Sequence, residues 1–370
     1  MTARDSSSGV GFGRTSSAKL NPRVDDTADD REPSADSSGM RQVAERAGVA
    51  MSSVSRVLSD HPDVSDKMRA RVLKTVKELG YEPNMLAQML RRGTTQTVGF
   101  VIGDISNPLL GQIALGAEVA LREAQYAMLL TNSLNQSKFD VEHIKLLQQR
   151  QVDGLLLSVA DESNEETIAA LGRTKTPSVL IDRDLDLATP ASAVLCDHAA
   201  GVRTAVEYLI ELGHRDIALI AGSPFTRPTR ERVRAIKGAS VRHPMANFQI
   251  RSGAFTETHG AEATRELLAS SRPPTAVIAG GNQILIGVLR QLRDQQLRIP
   301  QDISLITCDD VPLAEFFTPA LATIERDPYA MGTTAAGLLL ELMNGGEART
   351  IDLRTTFRRA SSCARPAPAA

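Results

Sequence analysis

From Thr97 onward, short apolar runs alternate with longer stretches in which apolar residues recur every three or four positions. The runs are Val98–Ile102, Ala127–Leu130, Gly154–Val159, Val179–Ile181, Ala193–Leu195, Ile217–Ala221, Ala276–Ala279 and Ser304–Ile306. Helical periodicities lie between them at Leu109–Gln125, Lys138–Arg150, Ala200–Leu212 and Ile284–Gln296. The alternation of such runs with helices of this length predicts βαβ units and parallel sheets. About eight strands over ~260 residues predict two doubly wound lobes, with a ligand cleft outside the carboxyl ends of the strands.

The pattern before residue 97 differs. Val43, Ala44 and Ala47 mark one short helix, which Gly48 ends. Val54, Val57 and Leu58 mark a second. Met68, Val72, Leu73 and Val76 mark a longer third helix, with Ser65 placed to cap it and Gly80 and Pro83 to stop it. A last helical segment is expected over Asn84–Leu90, before Arg91 and Arg92. The stretch VAERAGVAMSSVSRVL (43–58) has the form of a helix-turn-helix. Small Ala44 and Ala47 allow close helix approach, and Gly48 supplies the left-handed turn. Met51, Ser52, Ser55 and Arg56 then face outward near the start of the second helix, the end that enters a major groove. Arg56 can fork onto a guanine edge or pair with a phosphate. A plain helical hairpin with a solvated charged face satisfies the same spacing.

Composition narrows the classes. Of the 370 residues, 42% are hydrophobic and 23% charged, which excludes wholesale disorder and implies more than one core. Residues 1–38 are polar and read as a disordered extension. Gly9, Gly11 and Gly13 precede Lys19 there, but Ala18 stands where a phosphate loop needs Gly, and no strand comes first. No run approaches the ~18–20 apolar residues of a membrane span, and no apolar segment near the start suggests a secretory signal. Cys196, Cys308 and Cys363 are scattered, so neither a disulfide framework nor a structural zinc site is expected. The expectation at this point is a soluble protein of a reducing compartment, with no membrane partner. The net charge of −2 hides a gradient: residues 40–97 hold ten basic and six acidic residues, while 1–39 hold five and seven. A basic head on an acidic body fits DNA binding joined to sensing or catalysis. No G-x-S-x-G elbow, H-E-x-x-H pair or His/Cys cluster occurs, so no enzyme and no cofactor are expected.

The head continues through VSDKMRARVLKTVKELGYEPNMLAQML (64–90), then VGFVIGDISNPLL (98–110), VDGLLL (152–157), LIELGHRDIALIAG (209–222) and CDDVPLAEFFTPALATI (308–324). These segments, in this order over residues 40–358, resemble the lactose/galactose repressor family of bacterial transcription factors. The resemblance implies an α/β chain: an all-α helix-turn-helix head and hinge helix, then two doubly wound parallel-sheet lobes of periplasmic-binding-protein type. The divisions implied are an extension 1–39, head 40–83, hinge helix and linker 84–97, body 98–360 and tail 361–370. The first lobe would take about 98–185 and 326–348, the second about 190–324 and 349–360.

The resemblance also implies function: a repressor, dimeric on a pseudo-palindromic double-stranded DNA operator, with affinity controlled by a small effector between the lobes. A regulator of the same architecture controlled by a protein partner, or no longer responsive to a sugar, is the alternative. The implied DNA contacts are Met51, Ser52, Ser55 and Arg56 from the recognition helix. Leu90 would wedge into the minor groove, and small Ala87 would let paired hinge helices pack. The implied effector contacts are Asp104, Ile105, Asn107, Pro108, Leu109, Arg203 and Asp309. The chain departs from the family at several points. Ala50 stands where Ser usually caps the recognition helix, so Ser52 could start it instead. Leu109 and Leu110 replace aromatic residues on which a sugar stacks. Gly281 and Asn282 replace an Asn-Asp pair. Arg232 matches a family Arg, and Arg183 falls near a lobe crossing. Pro224, Pro228 and Pro244, with many Arg, suggest that 223–259 is irregular or shortened. The C-terminus lacks the heptad leucines of a tetramer, so a homodimer is expected.

Overall fold

The computed structural model describes residues 35–59, 61–81, 94–187, 191–309 and 317–367. The chain divides into two compact units, residues 1–88 and 89–370. The first unit holds α1 (Ala35–Ala47), α2 (Met51–Leu58) and α3 (Asp66–Leu79). Their apolar stripes meet in one small core: Val43, Ala44, Ala47, Val54, Val57 and Val72, with Val49, Met68 and Tyr81 against it. Gly48, at φ +60°, ends α1 and lets Val49 N–H reach back to the Ala44 carbonyl. Gly80, at φ +59°, ends α3 in the same way. Ala87, Leu90, Arg91 and Arg92, and with them the expected hinge helix, lie outside the described residues.

The second unit is built from two six-stranded sheets. The first lobe contains β1 (Thr97–Ile102), α4 (Pro108–Glu123), β2 (Ala127–Asn132), α5 (Ser137–Gln149), β3 (Gly154–Leu157), α6 (Glu165–Gly172), β4 (Ser178–Ile181) and β5 (Ser192–Cys196). The second contains α7 (His198–Glu211), β6 (Asp216–Ala221), α8 (Arg227–Arg242), β7 (Asn247–Ser252), α9 (Glu257–Leu268), β8 (Ala276–Ala279), α10 (Asn282–Asp294), β9 (Ser304–Cys308) and β10 (Ala322–Glu325). The chain then returns to the first lobe for α11 (Pro328–Met343) and β11 (Thr350–Leu353), and ends in the second with β12 (Thr356–Arg358). Strand orders are β11-β5-β4-β3-β1-β2 and β12-β10-β9-β8-β6-β7. Strands pair in parallel except β12, which runs antiparallel to β10.

Helices cover both faces of each sheet. Along β1, Val98, Phe100 and Ile102 face the α4/α11 side, while Val101 faces α5 and α6. In the second lobe, Ile217, Leu219 and Ala221 join α7 and α8; Ala218 and Ile220 join α9 and α10. This double burial is why these strands read as unbroken apolar runs.

Three readings of the sequence are corrected here. Residues 192–196 and 350–353, assigned to the second lobe, are β5 and β11 of the first sheet, paired with each other along Thr350–Ala193 to Leu353–Cys196. A strand's apolar pattern says that it joins a sheet, not which edge it joins. Residues 223–259 are regular: α8 spans 16 residues and β7 pairs with β6 over six. Pro228 sits in the first turn of α8, where the missing N–H costs nothing, and Pro244 follows the helix end. The tail is partly structural. Ser362 is fully buried, its backbone bonded to Leu305 and Ala320 and its hydroxyl to Ala322 N–H and the Leu305 carbonyl.

Candidate functional site

In the head, α2 begins at Met51 with Ala50 in the N-cap position, its backbone extended at φ −68° and ψ 151° and without a side-chain cap. Ser52 therefore does not start the helix. Met51, Ser52 and Arg56 are exposed, and Ser55 is half-buried beside buried Val54. One face of α2 thus fills the core while Met51, Ser52 and Arg56 project from the other.

In the body, a cleft lies between the lobes beyond the carboxyl ends of the strands. Asp104, Asn107, Leu109, Leu110 and Asn135 line it from the first lobe, and Phe255, Gly281, Asn282, Gln283 and Asp309 from the second. Gly103 and Asp104 follow β1 in a turn in which the Asp104 carboxylate accepts from Ser106 N–H (2.9 Å) and Oγ (2.7 Å). Asn107 caps α4 by accepting from Leu109 N–H (3.1 Å). Across the cleft, Gln283 Nε2 donates to Asp104 Oδ2 (2.8 Å) and Asn282 Nδ2 to Asn107 Oδ1 (3.2 Å). Burial pushes the Asp104 carboxyl up, but the bonds from Ser106 and Gln283 prevail and hold it below the usual carboxylate range. Asn282 lines the cleft and is 3% exposed, and its buried Oδ1 has no hydrogen-bond partner among the described residues.

The rear of the cleft is a buried charge network. Asp182 directly follows β4 and Asp309 directly follows β9, equivalent positions in the two lobes. Both hold left-handed backbones, φ +54° and +73°, which non-glycine residues adopt only at a cost. Arg326, on the crossing from β10 to α11, donates from Nη1 to Asp182 Oδ2 and from Nε to Asp309 Oδ1 (2.7 Å). Arg232 lies 3.6 Å from Asp309 and donates to the Gly280 carbonyl (2.7 Å). Arg227 lies 3.5 Å from Asp182 and donates to the Cys196 carbonyl (2.8 Å). His198 places Nε2 2.8 Å from Asp182 Oδ2 and Nδ1 3.5 Å from Arg232 Nη2. A neutral ring protonated at Nε2 satisfies both neighbours. Burial drives the His198 pKa down to about 4, against the pull of Asp182, so the ring is neutral at pH 7. Burial raises the Asp182 and Asp309 carboxyls, but the facing His198 and Arg326, and Arg326 and Arg232, hold both well below the usual range.

Glu162 extends the network. From the first lobe it accepts from Arg227 N–H (2.6 Å) and Arg230 Nη2 (2.5 Å) at the start of α8 in the second. Thr226, in the N-cap position there, provides no side-chain cap, so a carboxylate from the opposite lobe does that work. Arg183 donates from Nε to the Val159 carbonyl (2.5 Å).

The structure thus brings Asp104, Asn107, Leu109 and Asp309 to one cleft and leaves three other expected residues out of it. Ile105 is 53% exposed, turned outward by the Asp104–Ser106 turn. Pro108 is exposed in the first turn of α4. Arg203 is exposed on α7, because that helix gives Val202, Ala205, Val206 and Leu209 to the core and 203 falls on the opposite face. His198, at the start of α7, is the residue that reaches the network. Sequence reasoning missed Asp182, Arg326, His198, Glu162, Gln283 and Phe255. One signal existed: Asp182 and Asp309 each follow an apolar strand in the same way (SVLID, SLITCD). Phe255 came from the segment expected to be irregular, and it restores an aromatic wall that Leu109 and Leu110 do not provide.

Comparison with known proteins follows the same division. Residues 39–84 match the bacterial regulatory proteins of the lacI family, and residues 206–362 a periplasmic binding protein-like domain. The chain is 33% identical over 310 residues to the ribose operon repressor of Escherichia coli K12, covering 81% of this chain and 92% of the relative. The chain belongs to the LacI family. Catabolite control protein A of Priestia megaterium is 31% identical over 306 residues, 82% of this chain and 91% of that one. The Lac repressor dimer bound to operator and the anti-inducer ONPF aligns with a TM-score of 0.76 at 26% identity, over 87% of this chain and 98% of that one. The complex of the transcriptional regulator CelR with cellobiose aligns at 0.67 and 30%, over 87% and 99%. The LacI-family chain therefore pairs a helix-turn-helix head with a two-lobed periplasmic-binding-protein-like body. Among the described residues, no helix is long and apolar enough to cross a membrane.

Proposed function

We propose that this protein is a cytoplasmic, sequence-specific transcriptional repressor, dimeric on a pseudo-palindromic operator and controlled by a small polar effector in the interlobe cleft. The observation that carries the DNA reading is α2: its inner face is consumed by the core, leaving Met51, Ser52 and Arg56 exposed at and near its N-terminal end. Ser55 sits where it can contribute a backbone contact, and Ala87 and Leu90 are assigned to the hinge by resemblance. The related Escherichia coli protein is named as the ribose operon repressor, and one related structure is a repressor dimer on operator DNA. In the cleft, Asp104, Asn107, Asn282, Gln283 and Asp309 offer hydrogen-bond partners for hydroxyls, and Phe255 offers a face for stacking. A sugar-like or nucleoside-like molecule fits that chemistry, and relatives of the same architecture are complexes with cellobiose or ribose.

Selection of bound duplexes from genomic DNA tests this reading, at stated near-physiological salt because affinity depends steeply on it. The expected product is a two-fold symmetric site. Arg56→Ala should weaken that site about ten- to a hundredfold, the worth of one bidentate base contact, while the body stays folded. Unchanged affinity would remove Arg56 from the interface. A calorimetric screen of sugars and nucleosides tests the cleft separately.

A further inference from the structure

The cleft is joined across its width by the protein's own groups. Arg326 is buried between two carboxylates that come from different lobes, and each carboxylate stands on a constrained left-handed backbone that aims it inward. Without Arg326, each carboxylate keeps a neighbouring guanidinium, Arg227 at 3.5 Å from Asp182 and Arg232 at 3.6 Å from Asp309, but the cation that the two share is lost and their mutual repulsion is less screened. An arginine suits the position, since its planar fork serves two acceptors from different nitrogens while keeping its charge. Further out, Glu162 holds α8, Gln283 holds Asp104 and Asn282 holds Asn107, all from one lobe to the other.

We propose that Arg326 is a built-in clasp that holds the two lobes together while the cleft carries no effector. The inference rests on reading the cleft as the effector site, and it specifies how that site is regulated. An effector enters by taking over the cross-lobe bonds of Asn282 and Gln283. At the rear it offers donors to Asp182 and Asp309 in place of the guanidinium. Neutral polyols and cations meet that demand; an anion does not.

Hydrogen exchange on the full-length, effector-free protein tests the clasp, with strands β1 and β6 as internal controls. In Arg326→Ala, protection should fall at Asp104–Asn107, at Asn282–Gln283 and at the start of α8, while β1 and β6 keep theirs. Millimolar methylguanidinium should restore it by filling the gap between the carboxylates, and sodium chloride of equal ionic strength should not. Asp309→Asn, which takes the charge from the second-lobe half and leaves Arg326 paired with Asp182, should lose the same protection without that rescue. Native-like protection in Arg326→Ala overturns the proposal. So does exchange rising through β1 and β6 in both variants, which would make the trio part of the core. If only Arg326→Ala exchanges globally, Asp309→Asn decides: loss confined to the cleft supports the clasp, and native protection overturns it. No effector enters these measurements, so failure of the clasp and failure of the cleft to bind a sugar or nucleoside are told apart.

Discussion

At the residue scale, the cleft depends on charges that are buried and mutually satisfied. His198 shows how finely. Its ring faces Asp182 on one side and Arg232 on the other, with Arg326 and Asp309 close by. Folded, it resists protonation down to about pH 4; unfolded, it titrates near its ordinary value of 6.5. Between these values the unfolded chain binds the extra proton. Stability from this group is therefore complete above pH 6.5 and is lost as pH falls toward 4, by about 3 kcal/mol on linkage arithmetic. Asp182 and Asp309, held low, add their own losses at more acid pH. Denaturant melts at pH 7 and pH 4.5 should show this slope in the native protein and a shallower one in His198→Asn. Equal slopes would place the acid sensitivity elsewhere. None of this was legible at position 198 itself, because a lone histidine has no pattern. Its environment comes from β4, α8 and the second crossing between lobes.

At the element scale, local rules were followed where they compete with little else. Gly48 and Gly80 end their helices as read, and eight of the strands sit on the apolar runs. Ala50 is a local rule broken: the N-cap geometry is present without a cap side chain. Ala50→Ser should stabilise the head by about 1 kcal/mol, seen as a higher midpoint for the head's own transition. No change would mean that the α2 N-terminus is already satisfied. Helix pairing in the body uses glycine at matching places. A Cβ on Gly332 would lie 2.0 Å from the Ile113 carbonyl of α4, and one on Gly287 would lie 2.0 Å from the Glu257 carbonyl of α9. Both neighbours are backbone and cannot step aside. Gly287→Ala should therefore destabilise by roughly 1–3 kcal/mol or more as α9 and α10 are forced apart. Gly337→Ala, with open space around it, should be neutral or stabilising. Melts of the two variants that agree would refute the close-packing argument. Helix α8 went unread because its arginines mask the apolar stripe of Val233, Ala235, Ile236 and Ala239. Arg232, on its buried face, is there for the network and not for solvent.

At the scale of the whole molecule, head and body are separate units, so a ligand in the cleft should act first on the body. A compound that binds there at a hundred times its Kd should stabilise the body by about 2.7 kcal/mol, and Asp309→Asn should abolish that gain. Calorimetry of the effector-bound protein would show it as one transition moving while the head's stays. A shift that survives Asp309→Asn would move the binding site away from the end of β9. By itself the sequence determined the class of each unit, the parallel sheets, the turn glycines and the exposed face of α2, since these depend on periodicity and on residues close in the chain. Tertiary structure alone decided lobe membership and the cleft chemistry. Strands β5 and β11 and residues 182, 198, 309 and 326 are brought together by crossings that link distant parts of the chain, and burial there sets which charges survive.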